Sequence, residues 1–293
     1  MRIFLTGGTG QLGLTFRERF PEYDISAPTR NELDLLNTKD VEAKIAHFKP
    51  EIVINTAAWT DVQRAESSSI EAMAINFDSV KNLVDSALMH GSRFIQVSTD
   101  FVFDGHTTNP YAEDGVKNPL SKYGLSKSMA EDYINATYSE NAFIIRTSWL
   151  YSSYRSNFVK SILRKLLRSD SKIQVVNDQF GSPTFSDDLA HALNNFCVKD
   201  SDPGIYHYAN NGVTSWYLFA REIADYSGFD PERIIPTSTQ AVEQIVKRPK
   251  FSALDTTKYS TEIGERPPSW QESLMRSLPK IRASAESESI DEI

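Results

Sequence analysis

Tyr123 and Lys127 stand four residues apart in Tyr123-Gly124-Leu125-Ser126-Lys127. On a helix this spacing puts both side chains on one face, one turn apart. A free phenol ionises near pH 10 and exchanges protons poorly at neutral pH. A neighbouring ammonium stabilises the phenolate, so Lys127 is expected to lower the pKa of Tyr123. Such a pair suits proton transfer in the interconversion of a carbonyl and an alcohol. The same spacing also arises by chance, as a surface tyrosine beside a lysine, and the companions decide between the two. Thr99, in Ser98-Thr99-Asp100-Phe101-Val102-Phe103, follows an apolar run. Its hydroxyl and the Tyr123 phenol can both donate to one carbonyl oxygen and stabilise the alkoxide that develops as hydride arrives. Capping of the backbone at a strand end is the other use for such a threonine.

A second constellation opens the chain. Gly7, Gly10 and Gly13 form a G-x-x-G-x-x-G pattern, with Thr9, Gln11 and Leu12 between them. It follows a β-rich run and opens a helical one, which matters more than the spacing itself. Gly7 permits a tight turn, Gly10 admits a pyrophosphate and Gly13 allows close helix packing. Free N–H groups at the helix start favour the anion. An acid that accepts from a ribose 2′-hydroxyl is expected about 20 residues on. Thr29 and Arg30 occupy that neighbourhood, followed by Glu32 and Asp34. An arginine there can receive a 2′-phosphate, which favours NADPH over NADH. Arg30 is equally readable as a solvated surface charge. Asp34 and Leu35 are expected near the adenine.

These residues need a scaffold that gathers them. Apolar runs at 2–6, 23–27, 51–57, 93–98 and 142–147 read as strands. They alternate with helical stretches at 12–20, 39–48, 70–89 and 119–138. Alternation of this kind implies an α/β, Rossmann-type doubly wound parallel sheet, which binds ligands at the carboxyl ends of its strands. From about Asn177 the pattern loosens, with helices at 186–196, 216–226 and 270–278. Residues 1–150 are therefore expected to form the main part of the NAD(P)-binding domain, to which some later segments return. Residues 151–283 are read mostly as a smaller α/β substrate lobe. Residues 284–293, with four acids and three serines, are read as a disordered acidic tail.

Composition narrows the partners. In 293 residues, 31 Lys+Arg against 39 Asp+Glu give a net charge of −8, which argues against a nucleic-acid polymer as partner. The single cysteine, Cys197, excludes an intrachain disulfide and a cysteine zinc cluster, and points to the cytoplasm. No stretch is long and apolar enough to span a bilayer, so no membrane partner is expected. The five histidines show no metal-ligand spacing, so no metal is assigned. Asp187-Asp188 could hold Mg2+ at a subunit contact, but a solvated helix N-terminus explains them better. A homodimer is left open.

Taken together, the chain resembles the extended short-chain dehydrogenase/reductase family, and within it the dTDP-4-dehydrorhamnose reductases. The likeness runs to about residue 280. It rests on Ser98 to Phe103, on Arg146-Thr147-Ser148-Trp149-Leu150-Tyr151, on Asn177-Asp178-Gln179-Phe180-Gly181-Ser182-Pro183-Thr184, and on Arg248-Pro249 with Ser252 and Leu254. The resemblance implies NAD(P)H-dependent reduction of the 4-keto group of a nucleotide sugar, dTDP-4-dehydro-L-rhamnose, in cell-surface polysaccharide synthesis. It implies Thr99, Tyr123 and Lys127 as the catalytic set, with Lys127 also holding the nicotinamide ribose. It implies Gly10, Gln11 and Leu12 at the pyrophosphate, and Ala57, Ala58 and Trp59 beside the cofactor. Asp100 and Trp149 are implied as sugar contacts, although Trp149 also reads as a core aromatic. The chain departs from the family in Gln63, where an acid is usual, and in Thr29, where aspartate is common. The substrate's pyrophosphate needs cations, for which Arg155, Lys247 and Arg248 are candidates. An epimerase or dehydratase on the same scaffold, and a non-catalytic NADP-binding regulatory subunit of methionine adenosyltransferase, are the competing readings.

Overall fold

The computed structural model describes residues 1–242 and 246–290. The five expected strands form: β1 (Arg2–Thr6), β2 (Asp24–Ser26), β3 (Ile52–Asn55), β4 (Arg93–Thr99) and β5 (Ala142–Thr147). Helices cover both faces of this sheet, so its central strands are continuous apolar runs and not alternating ones. Ile52 to Asn55 and Ala142 to Thr147 are buried at every position. The strands pair in parallel in the order β2-β1-β3-β4-β5. A sixth strand, Gly204–His207, adds parallel to β5. The fold is thus a doubly wound α/β sheet, and the strand order reverses between β1 and β3. Ligands bind such sheets at this switch point, outside the carboxyl ends of the strands.

Polar side chains stitch those ends together. Thr6 Oγ1 donates to Asn55 Oδ1 (2.5 Å), and Asn55 Nδ2 donates to Gln96 Oε1 (2.8 Å). Asn55 Oδ1 also accepts from the backbone N–H of Ala57 (3.1 Å). The loops leaving β1 and β3 are fixed by the same interactions that align the strands.

One face of the sheet carries the helices Gln11–Arg19 and Ser186–Val198, whose Leu12, Phe16, Leu189, Leu193 and Phe196 pack on Ile3, Leu5 and Phe143. The other face carries Thr38–Phe48, Ser79–His90 and Lys122–Tyr138. A separate core joins Phe158–Arg168, Trp216–Tyr226 and Trp270–Ile290 around Leu163, Phe219 and Leu274. This second lobe is discontinuous in sequence. The Ser186–Val198 helix, expected in the small lobe, lies on the main sheet, as do the Gly204–His207 strand and the Thr257–Ile263 helix.

Two further expectations are corrected. The helix read over 70–89 is a run from Ser69 to His90 with a π-turn at Ala74–Asp78. The tail read as disordered from Ser284 continues the last helix to Ile290. Ala285 is fully buried, and Ser284 Oγ donates to the Ser153 carbonyl (2.9 Å). A small residue facing the second core is what the acidic composition concealed. Residues 291–293 lie outside the described residues.

Candidate active site

A cavity of about 790 Å3 runs along the carboxyl ends of β1, β3, β4 and β5 to the second lobe. At one end is the glycine turn. Gly7 has φ 70°, and a Cβ on it would fall 2.6 Å from the backbone nitrogen of Ala57. A Cβ on Gly13 would fall 2.3 Å from the Gly7 carbonyl oxygen, so the helix can approach the turn only without one. The Gly10 N–H donates to the Gly7 carbonyl (2.9 Å). A Cβ on Gly10 would meet nothing but that carbonyl oxygen, at 3.2 Å, and Gly10 lines the cavity. The turn is therefore a bare backbone cradle at a helix N-terminus, and the residues present fit a dinucleotide pyrophosphate.

Thr9, Gln11 and Leu12 line this end, as do Thr29, Arg30, Asp34 and Leu35 from the β2 side and Ala57 and Ala58 after β3. Glu32 turns away from the cavity, its carboxylate accepting from the N–H (2.7 Å) and hydroxyl (2.9 Å) of Thr29. Trp59 is not brought to the wall. Its indole N–H donates to the Asp61 carbonyl (3.0 Å), and Arg64 lies over the ring. The loop itself is held by the buried Asn76, which accepts from the Trp59 N–H (2.8 Å) and donates to the Trp59 carbonyl (3.1 Å) and Ser126 Oγ (3.0 Å). Asn76 lies in the π-turn, a distortion that often serves to aim a functional side chain.

Further along, Thr99, Asp100, Tyr123 and Lys127 share the wall. Ser121 caps the Lys122–Tyr138 helix by accepting from the Gly124 N–H (3.1 Å). Gly124 lets that helix press on the turn after β4, since a Cβ there would lie 2.2 Å from the Phe101 carbonyl oxygen. This close approach sets Tyr123 beside Thr99, with the Phe101 ring edge-on to the phenol ring at 5.7 Å. Thr99 also caps: its Oγ1 accepts from the Phe101 N–H (3.2 Å) while donating to Asp100 Oδ1 (3.0 Å). Of the two uses weighed for this threonine, the backbone cap is the one that these bonds make. Lys127 Nζ donates to the Val97 carbonyl (2.7 Å).

Electrostatics at the pair overturn one expectation. Burial pushes the Tyr123 phenol up to about 12, the charge of Asp100 acting the same way and the Thr99 hydroxyl opposing. Burial also pushes Lys127 down to about 8, against the charge of Glu131. Desolvation is the largest influence on both groups. Asp100, 2% exposed, is pushed up to about 6 by burial, opposed by the hydroxyls of Ser252 and Thr99. Its Oδ2 is buried without a hydrogen-bond partner among the described residues.

Behind the wall lies a buried ion pair. Glu131 accepts from Arg146 Nε (3.0 Å) and Nη2 (2.8 Å), and from Ser98 Oγ (2.5 Å). Arg146 Nη1 also donates to the Glu113 carbonyl (3.0 Å). Burial and then the Arg146 charge push His207 down to about 3, so this imidazole is neutral.

At the far end Trp149 stacks on Trp216 (3.6 Å between centroids, 10° between planes), and both line the cavity. Trp149 has φ 48°, and its indole occupies the space a Cβ on Gly181 would need, 2.7 Å away. Among the candidate cations, Arg155 lines the cavity at the glycine turn. Arg248 lies half-buried within the field of Asp100, and Lys247 is exposed. Gln63 is exposed as well. Asp187 pairs with Arg19, while Asp188 accepts from Asn210, Ser273 and Arg276, so protein partners take both carboxylates considered for Mg2+. Trp216, Phe158, Asn76 and Glu131 were not found by sequence reasoning. Their partners come from distant segments, and only the four-residue step from Lys127 to Glu131 was visible in advance.

Comparison with known proteins adds to this geometry. The RmlD substrate binding domain family matches residues 1–283. The spore coat polysaccharide biosynthesis protein SpsK of Bacillus subtilis is 36% identical, covering 97% of this chain and 99% of its own length. A dTDP-4-dehydrorhamnose reductase of Aggregatibacter actinomycetemcomitans is also 36% identical, with the same coverage. Among solved structures, the dTDP-4-dehydrorhamnose reductase (rfbD) of Bacillus anthracis in complex with NADP superposes with a TM-score of 0.90 at 33% identity, covering 95% of this chain and 99% of that one.

Proposed function

The chain belongs to the RmlD substrate binding domain family, and on that premise we propose that it reduces the 4-keto group of dTDP-4-dehydro-L-rhamnose to give dTDP-L-rhamnose, using NADPH. The observation that carries this reading is the meeting of Thr99, Tyr123 and Lys127 on one wall of a cavity that ends in the glycine turn.

NADPH, when bound, supplies the hydride that reduces the keto carbon. Gly7 to Leu12 would hold its pyrophosphate, and Thr29 and Arg30 its 2′-phosphate. The remaining chemistry belongs to the protein. With its pKa pushed up to about 12, the Tyr123 phenol is protonated at neutral pH and serves as proton donor to O4. Thr99 orients the same oxygen. Lys127, charged below about pH 8, lies one helical turn from the phenol and favours negative charge at the reacting oxygen. Asp100 and Trp149 contact the sugar, and the second lobe supplies the aromatic wall against which it rests. The cytoplasm is the compartment this reading favours, because Cys197 is a buried free thiol. No helix among the described residues is long and apolar enough to cross a membrane.

The test mixes protein, NADPH and dTDP-4-dehydro-L-rhamnose and follows the absorbance of the reduced nicotinamide. Loss of that absorbance with formation of dTDP-L-rhamnose supports the reading. No oxidation of NADPH or NADH sinks it.

A further inference from the structure

Arg155 occupies the segment that carries the chain from β5 into the second lobe. Its Nε donates to the Thr9 carbonyl (2.9 Å), inside the glycine turn. The segment is tied to the turn at two more points: Ser152 Oγ donates to Gln11 Oε1 (2.9 Å), and Asn157 Nδ2 donates to the same oxygen (3.1 Å). A guanidinium presents five N–H groups in a rigid plane, and the bond to Thr9 uses one of them. The others make no further hydrogen bond or ion pair among the described residues, and Arg155 lines the cavity together with Gly10 and Gln11.

The backbone makes this arginine more telling. Arg155 has φ 56°, a left-handed conformation that glycine adopts freely and other residues at a cost. The side chain is exposed, so burial of its stem does not offset that cost. What the position gains from an arginine is a cation anchored above the turn.

We propose that Arg155 is a cofactor-binding residue, its guanidinium held on the Thr9 carbonyl and contacting the pyrophosphate of the dinucleotide from the second-lobe side of the cavity. The proposal rests on the reading of the glycine turn as the NADPH site. It assigns Arg155 to the cofactor and not to the pyrophosphate of the sugar nucleotide, because its anchor belongs to the turn.

Calorimetric titration of the full chain with NADPH and, separately, with dTDP tests this for wild type, Arg155→Gly and Arg155→Lys. Arg155→Gly should weaken NADPH binding about tenfold or more and leave dTDP binding unchanged. It should melt no lower than wild type, since glycine suits the left-handed backbone. Arg155→Lys should keep part of the affinity, because it retains the charge but loses the fork. Wild-type NADPH affinity in Arg155→Gly overturns the proposal, as does a loss confined to dTDP. Should Arg155→Gly melt below wild type, Arg155→Lys decides, and full affinity there overturns the proposal. A wild-type protein that binds dTDP but no NADPH removes the reading of the turn itself, and the proposal with it.

Discussion

At the Tyr123–Lys127 pair two neighbours with opposite charge preferences share one wall, Lys127 buried and Tyr123 half-buried, and desolvation moves both toward neutrality. Tyr123 rises to about 12 and Lys127 falls to about 8. The sequence supplied the four-residue spacing but not the dielectric around it, so the direction for Tyr123 was read the wrong way. The correction suits reduction, in which the phenol must begin protonated. Tyr123→Phe should then lower kcat by about 10²–10⁴-fold while the NADPH dissociation constant stays near wild type. An unchanged kcat would remove Tyr123 from the chemistry. On the proposed reading the Lys127 charge sets the pH range. It is charged below its pKa and neutral above it, so kcat/KM for reduction should fall as pH rises through about 8. A profile flat well past that value would separate the Lys127 charge from catalysis.

Among the elements, the Lys122–Tyr138 helix carries the most. Tyr123, Lys127 and Glu131 are spaced by fours and lie along one face. The first two meet the cavity, and the third anchors the helix to β4 through Ser98 and to β5 through Arg146. The anchor was illegible in sequence because an acid on a helix shows its partner only after the strands are placed. Asn37 and Ser121 each accept a hydrogen bond from the first turn of their own helix, signals that the starts read at 39 and 119 did not use. The π-turn that aims Asn76 left no local signal. Removing one partner of a buried ion pair strands the other in an environment that cannot solvate it. Glu131→Gln should therefore cost about 3–5 kcal/mol, read by urea unfolding. Glu131→Gln with Arg146→Met should cost less than the two single changes added together. Simple additivity would mean that the two residues act independently.

Across the whole molecule, the sequence was legible where strands and helices alternate, and misleading where the chain crosses between layers. Gly204–His207 is only four residues long and opens on a glycine, so it does not announce itself as a strand. The C-terminal end was misread for a related reason. Serine and glutamate dominate it, yet the facing side is small enough to pack. The lobe depends on that packing: Lys160 is fully buried, and its ammonium donates to Ser284 Oγ (3.0 Å) and the Ser153 carbonyl (3.2 Å). Deleting residues 284–293 removes the Ser284 acceptor from a buried cation and uncovers the site of Ala285. The deletion should cost about 1–3 kcal/mol, seen as a lower melting temperature. If the truncated chain melts like the full chain, the final turns of the helix do not brace the second lobe, and the reading of this segment as a tail is restored.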